Sequence, residues 1–155
     1  MPYPPTLVQP MREELTRLGF RELTTPEEVD RAVAEASQPM LLVVNSICGC
    51  AAGVARPGVA ISLKNPAAPK TLATVFAGQD IEATARARSY FEGLPPSSPQ
   101  VAILSNGKLL FMLQRDEIEG RTPEQIAAAL TAAYQRLLPS GGPPGPPSPR
   151  PTPPA

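Results

Sequence analysis

Met40-Leu41-Leu42-Val43-Val44 is an unbroken apolar run of five residues, too short for a helix of its own and rich in valine. It predicts a β-strand buried on both faces, the centre of a sheet with helices on either side. The flanking sequence supplies those partners. Leu72 to Phe76 reads as a second strand. Val101–Leu104 and Leu109–Leu113 enclose Asn106-Gly107, the strongest short-range hairpin signal, and are expected to be antiparallel neighbours.

Helical segments fall between the strands. Thr25-Pro26-Glu27-Glu28 and Thr122-Pro123-Glu124-Gln125 each place a threonine N-cap before a proline and set a Glu or Gln three residues on. Val29, Ala32, Val33 and Ala36 then recur at helical spacing after the first, and Ile126, Ala129, Leu130, Ala133 and Leu137 after the second. A shorter helix is expected over Met11–Leu18, stopped by Gly19. Two more are expected over Cys50–Leu63 and Ile81–Phe91, the latter with Asp80 as N-cap and Gly93 as its stop. A right-handed crossover would join the first two strands in parallel. The expected fold is α/β: a central mixed β-sheet flanked by helices, with an N-terminal helical extension, in thioredoxin order.

The core-forming part of the chain is residues 1–138. Residues 139–155, PSGGPPGPPSPRPTPPA, hold nine prolines in seventeen residues and almost no apolar side chain to bury, so they are expected to be a disordered tail. Charge is balanced at fourteen basic and fourteen acidic residues, which argues against a nucleic-acid reader. No apolar run is long enough to cross a bilayer, and the first residues lack a basic segment followed by an apolar one. The expected location is the cytoplasm, with neither nucleic acid nor membrane as partner.

The chain has no histidine, no tryptophan and two cysteines. Histidine-dependent nucleophilic catalysis and zinc sites of the usual Cys/His kind are thereby excluded, and no resident metal or bound cofactor is expected. Chemistry must use thiols, carboxylates, lysines or backbone dipoles. Both thiols, Cys48 and Cys50, directly follow the central strand where a helix should begin. A helix N-terminus carries partial positive charge and unpaired N–H groups, which favour thiolate. Cys48, nearer the loop, is the expected nucleophile and Cys50 the resolving thiol. One intervening residue makes a smaller disulfide ring than Cys-x-x-Cys, and Gly49 is the residue best able to relax it. Such a couple should be oxidising and suited to exchange and isomerisation. The alternatives at this point are two inert buried thiols and a Cu(I) site.

The segment Asn45-Ser46-Ile47-Cys48-Gly49-Cys50-Ala51-Ala52-Gly53, followed by Ala55-Arg56-Pro57, resembles the active-site signature of the bacilliredoxin family of thioredoxin-like proteins. Pro10-Met11-Arg12, Glu14-Leu15, Leu18-Gly19-Phe20, Val75-Phe76-Ala77-Gly78-Gln79-Asp80 and Pro96-Ser97-Ser98-Pro99 resemble it in the same order. The resemblance spans residues 3–138. It implies a thioredoxin-like fold, bacillithiol as thiol co-substrate and bacillithiolated client proteins as partners. Oligomeric state is not given by the sequence.

The resemblance also implies that Pro99 is held in cis, with the backbone of Ser98 available to an extended substrate, and that Pro57 kinks the active-site helix. Arg56 is a candidate for the carboxylates of bacillithiol, the alternative being an ordinary surface arginine. Asn45 and Ser46 are expected to hold the Cys48 loop by hydrogen bonds to backbone. Asp80 is a candidate proton acceptor or, more simply, an N-cap. Two other functions stay open: a general disulfide isomerase or oxidoreductase without bacillithiol preference, and a non-catalytic thioredoxin-fold binding module whose Cys-Gly-Cys is structural.

Overall fold

A computed structural model describes residues 2–138. The expected proline-rich tail over 139–155 lies outside the described residues. The elements, in chain order, are α1 (Pro5–Thr16), β1 (Arg21–Glu22), α2 (Pro26–Glu35), β2 (Met40–Asn45), a π-helical turn (Ala51–Ala55), α3 (Arg56–Ser62), β3 (Thr71–Phe76), α4 (Ile81–Arg88), β4 (Gln100–Ser105), β5 (Lys108–Leu113), α5 (Arg115–Ile118) and α6 (Pro123–Leu137). The strands form one sheet in the order β1-β3-β2-β4-β5. β2 runs parallel to β3 and antiparallel to β4, and β4 pairs antiparallel with β5. This is the mixed, helix-flanked sheet expected of the thioredoxin order.

Every residue of β2 is at most 2% exposed. Its side chains alternate between two cores, as the period of a strand requires. Leu41 and Val43 pack with Val59, Ile126, Leu130 and Tyr134, under α3 and α6. Met40, Leu42 and Val44 pack with Val29, Ala83, Ala87 and Phe91, under α2 and α4. At about 2 kcal/mol for each fully buried large aliphatic side chain, β2 alone contributes on the order of 10 kcal/mol of gross hydrophobic stabilisation.

The local signals behave as their chemistry demands. Thr25 and Thr122 accept from the backbone N–H groups of Glu28 and Gln125, and Gln125 closes a capping box. Asn106 and Gly107 both take positive φ, 53° and 77°, which a two-residue hairpin turn of the favoured type needs.

Four expectations are corrected. Helix α1 begins at Pro5, not Met11, because proline suits a first helical position, and Pro10 sits inside the helix rather than ahead of it. The missing Pro10 N–H is tolerated while Val8 and Leu15 bury themselves on either side of it. Helix α4 ends at Arg88, and turns carry the chain on to the buried Phe91. Asp80 occupies the N-cap position of α4 without capping it; its carboxylate instead takes two hydrogen bonds from Arg12, at 2.8 and 3.1 Å. The regular helix expected over Cys50–Leu63 is interrupted by the π-helical turn. Two short elements, β1 and α5, carry no periodicity to be read.

Helices α3 and α6 meet at Gly58. A β-carbon there would fall 2.7 Å from Ile126 Cβ and Cγ2 and 3.0 Å from the Pro123 carbonyl oxygen. Gly→Ala inside a helix ordinarily gains about 1 kcal/mol, but forced overlap in a packed core costs about 1–3 kcal/mol. Gly58→Ala is therefore expected to lower stability by up to about 2 kcal/mol net, read from the urea midpoint. A midpoint equal to or above wild type would show that the two helices can separate freely.

Candidate functional site

β2 ends by passing from apolar to polar residues while still buried: Asn45 is 1% and Ser46 6% exposed. Buried polar groups need partners, and here they find them in the loop itself. Asn45 Oδ1 accepts from the Ser46 N–H at 2.8 Å, and Ser46 Oγ accepts from the Cys48 N–H at 3.0 Å. Asn45 Nδ2 donates to the Met11 carbonyl of α1 at 3.2 Å. Asn45 and Ser46 thus hold the loop before Cys48 to backbone, with α1 as an additional anchor.

Helical backbone starts at Gly49. The Cys48 carbonyl accepts from the N–H groups of Ala51 and Ala52 at 2.9 and 3.2 Å, and the Cys48 sulfur accepts from the Cys50 N–H at 3.4 Å. That is the contact an N-cap side chain makes. Cys48 thus takes the N-cap position, at the positive end of the helix. The thiols are free and half-buried, with Sγ atoms 2.8 Å apart in a hydrogen bond. Gly49 between them is exposed, and a β-carbon on it would touch nothing within 4 Å.

The two sulfurs are unlike. When Cys48 is ionised the S–H of Cys50 donates to it, and this is the largest influence holding the Cys48 thiol below its ordinary range; partial burial opposes it, and the Cys50 N–H, the Arg115 charge and the Ala51 N–H assist. Cys50 is pushed up to about 11 by burial, then by the hydrogen bond it gives and by the negative charge on Cys48. One thiol is set to ionise and the other to keep its proton, the division expected of an attacking and a resolving cysteine.

Pro57 carries no N–H and its ring would press on the carbonyl four residues back. The chain meets this just upstream with the wide turn over Ala51–Ala55, in which the Arg56 N–H reaches back five residues to the Ala51 carbonyl. Arg56 is carried inward by that turn. It is 2% exposed, with Nε donating to Glu14 Oε1 at 2.7 Å and Nη1 donating to Asn45 Oδ1 at 2.8 Å and the Ser46 carbonyl at 2.9 Å. It is neither a surface arginine nor a side chain free to take a substrate carboxylate. No local feature of the sequence signals this, since the partner Glu14 lies 42 residues away.

The opposite wall is the loop before β4. The Ser98–Pro99 bond is cis, as the resemblance implied. Val44 pairs with Gln100, so the register runs on to set Pro99 beside Asn45, at the strand end that bears the thiols. Pro99 is buried and Ser98 half-buried. A polar network braces them. Arg88 donates to the Ser97 carbonyl and to Gln100 Oε1, while Gln114 Oε1 accepts from Gln100 Nε2 at 2.7 Å and from Ser97 Oγ at 2.8 Å.

No periodicity in the sequence singles out Arg115. It opens α5, is about half exposed, pairs with Glu119 at 3.0 Å, and its charge reaches both thiols. Together with Pro95, Ser97, Gln114, Asp116 and Glu119 it lines an open cleft of about 250 Å³. The Gln114-x-x-Glu117 capping box at the head of α5 was the one available sign that a helix starts there. Among the described residues no three His, Cys, Asp or Glu side chains group to hold a metal.

The chain matches the disulphide isomerase family model over residues 3–137. It is similar to a bacilliredoxin of Koribacter versatilis, 51% identical over 134 residues (86% of this chain, 92% of that one). It is 52% identical over 129 residues to a bacilliredoxin of Bacillus cereus (83% of this chain, 89% of that one). A solved structure with a thioredoxin fold matches with a TM-score of 0.57 at 14% identity, covering 72% of this chain and 90% of the other, and shows the fold alone.

The thiol asymmetry is checked by alkylation at increasing pH with the adduct located by mass. The Cys48 midpoint is expected below the ordinary thiol value of about 8.5. Cys50→Ala removes the S–H donor and should move the midpoint up; Cys50→Ser, which keeps an O–H donor, should lie between. Equal midpoints in all three proteins would remove the Cys50 side chain as the cause.

Proposed function

The chain belongs to the bacilliredoxin family, and on that footing we propose that this thiol-disulfide oxidoreductase removes bacillithiol from protein mixed disulfides. The observation that carries the reading is the pair of unequal thiols at a helix start, beside a cis-proline loop. The Cys48 thiolate attacks the bacillithiol sulfur of a modified client. The client's S–S bond breaks, its cysteine leaves as a thiolate and takes a proton from water, and a new S–S bond joins bacillithiol to Cys48. Cys50 then gives up its proton and attacks Cys48 Sγ, expelling bacillithiol as a thiol and leaving a Cys48–Cys50 disulfide. Two molecules of an external thiol, attacking in turn and leaving joined as their own disulfide, restore the dithiol. A second molecule of bacillithiol attacking the adduct is the route that bypasses Cys50.

The raised proton affinity of Cys50 suits this order, since a resolving thiol that stays protonated does not compete for the client in the first step. The partners in this reading are bacillithiolated proteins and free bacillithiol, and the place of action is the cytoplasm, where small thiols keep cysteines reduced. Among the described residues no helix is long and apolar enough to cross a membrane. Arg115 is the cation whose charge acts on both thiols, and its fork suits the carboxylates that bacillithiol carries, a role that burial denies Arg56.

The test is the intact mass of Cys50→Ser after incubation with one protein carrying bacillithiol and the same protein carrying glutathione, with Cys48→Ala as control. A bacillithiol adduct on Cys48 that forms faster than the glutathione adduct is the expected result. Equal transfer from both donors would replace the reading with a general oxidoreductase. No adduct from either would make the protein a binding module.

A further inference from the structure

The buried guanidinium of Arg56 hydrogen-bonds to neither thiol, yet it bonds directly to both Asn45 and Ser46, the residues that shape the loop before Cys48. We propose that Arg56, held from outside by Glu14 of α1, is a positioning residue that fixes the Cys48 sulfur at the helix start. The inference rests on the reading of Cys48 as the attacking thiol and on nothing about bacillithiol.

The geometry forms a continuous chain of contacts. Glu14, about half exposed, accepts from Arg56 Nε at 2.7 Å. Arg56 Nη1 donates at once to the Asn45 side chain and to the Ser46 carbonyl, at 2.8 and 2.9 Å. Asn45 Oδ1 holds the Ser46 N–H, and Ser46 Oγ holds the Cys48 N–H. A single side chain therefore fixes both ends of the Ser46 peptide segment and, through Ser46, the nitrogen of Cys48. The groups close enough to act on the Cys48 sulfur are Cys50, the Ala51 N–H and Arg115, with Glu119 beside Arg115. They act only if the sulfur sits where the loop puts it.

Burying a guanidinium is expensive without several partners, and a surface-facing salt bridge alone would not justify it. Three bonds within the loop and to α1 do. The fork matters as much as the charge. A lysine at 56 keeps the positive charge but presents one point of attachment, and cannot serve Glu14 on one edge and the Asn45–Ser46 pair on another.

Arg56→Lys, Glu14→Ala, Ser46→Ala and, as control, Glu13→Ala are compared by the pH dependence of Cys48 alkylation, with the melting temperature of each recorded alongside. Glu13 lies on the same helix but bonds only with Gln9 and the exposed Arg17, both of α1 or its end. Arg56→Lys is expected to raise the Cys48 midpoint by about one pH unit. That lowers the thiolate fraction about tenfold where both proteins are mostly protonated, and the greater nucleophilicity of a more basic thiolate returns about threefold, a net fall of about three- to fourfold in rate. Glu14→Ala and Ser46→Ala should move the midpoint the same way by less, and Glu13→Ala not at all. A folded Arg56→Lys protein with the wild-type midpoint would overturn the proposal, as would a shift of the same size in Glu13→Ala. If Arg56→Lys does not fold, unmoved midpoints in both Glu14→Ala and Ser46→Ala overturn it instead. None of these readings involves bacillithiol, so the proposal can fail while the transfer reaction stands, and the reverse.

Discussion

The burial of β2 on both faces is the constraint on which the rest of the molecule depends. A strand with no solvent-facing side can be stable only between two layers, and its alternating side chains feed two separate cores at once. The layers in turn leave the strand one exit. At Asn45 the apolar sequence stops, and the chain emerges with buried backbone groups that the sheet no longer satisfies. The polar loop over Asn45–Cys48 is the answer to that problem, and the thiols sit where it ends.

That origin explains why two cysteines two residues apart become chemically different. Cys48 takes an N-cap position, where its sulfur meets a backbone N–H and the positive end of the helix. Cys50 faces inward, against the core that includes Val59 and Ile126, and burial leaves it a thiol that holds its proton. The single proton shared between the sulfurs then works in opposite directions on the two. No histidine is needed, because a hydrogen bond from one thiol does for the other what an imidazole would do elsewhere.

The order of strands and long helices was readable because it rests on local rules: an apolar run, two threonine caps, an Asn-Gly turn. The position of the thiols after a buried strand was readable for the same reason. What could not be read was set by contacts across long separations. Arg56 looks from the sequence like any polar residue in a helix; its burial is decided by Glu14 and Asn45, on two other elements. Asp80 sits at a cap position and spends its carboxylate on Arg12, because a guanidinium offers two bonds where a backbone N–H offers one. The placement of Arg115 depends on a four-residue helix too short to show a period.

The π-helical turn joins these observations. An α-helix running unbroken from Gly49 would bring Pro57 against the carbonyl of Gly53, and the chain meets that conflict with a wider turn. Widening it rotates the downstream residues relative to the helix start, so Cys48 keeps its N-cap geometry while Arg56 turns inward beneath the loop. With regular winding the guanidinium would point about 100° away for each residue not inserted, out of reach of Asn45 and Ser46. Proline at 57 and arginine at 56 are then two parts of one device. The first imposes the irregular turn, and the second uses it to tie α1 and the end of β2 to the Cys48 loop. A residue with an N–H at 57 would let the helix relax toward regular winding, and the loop would lose the only buried cation in contact with it among the described residues.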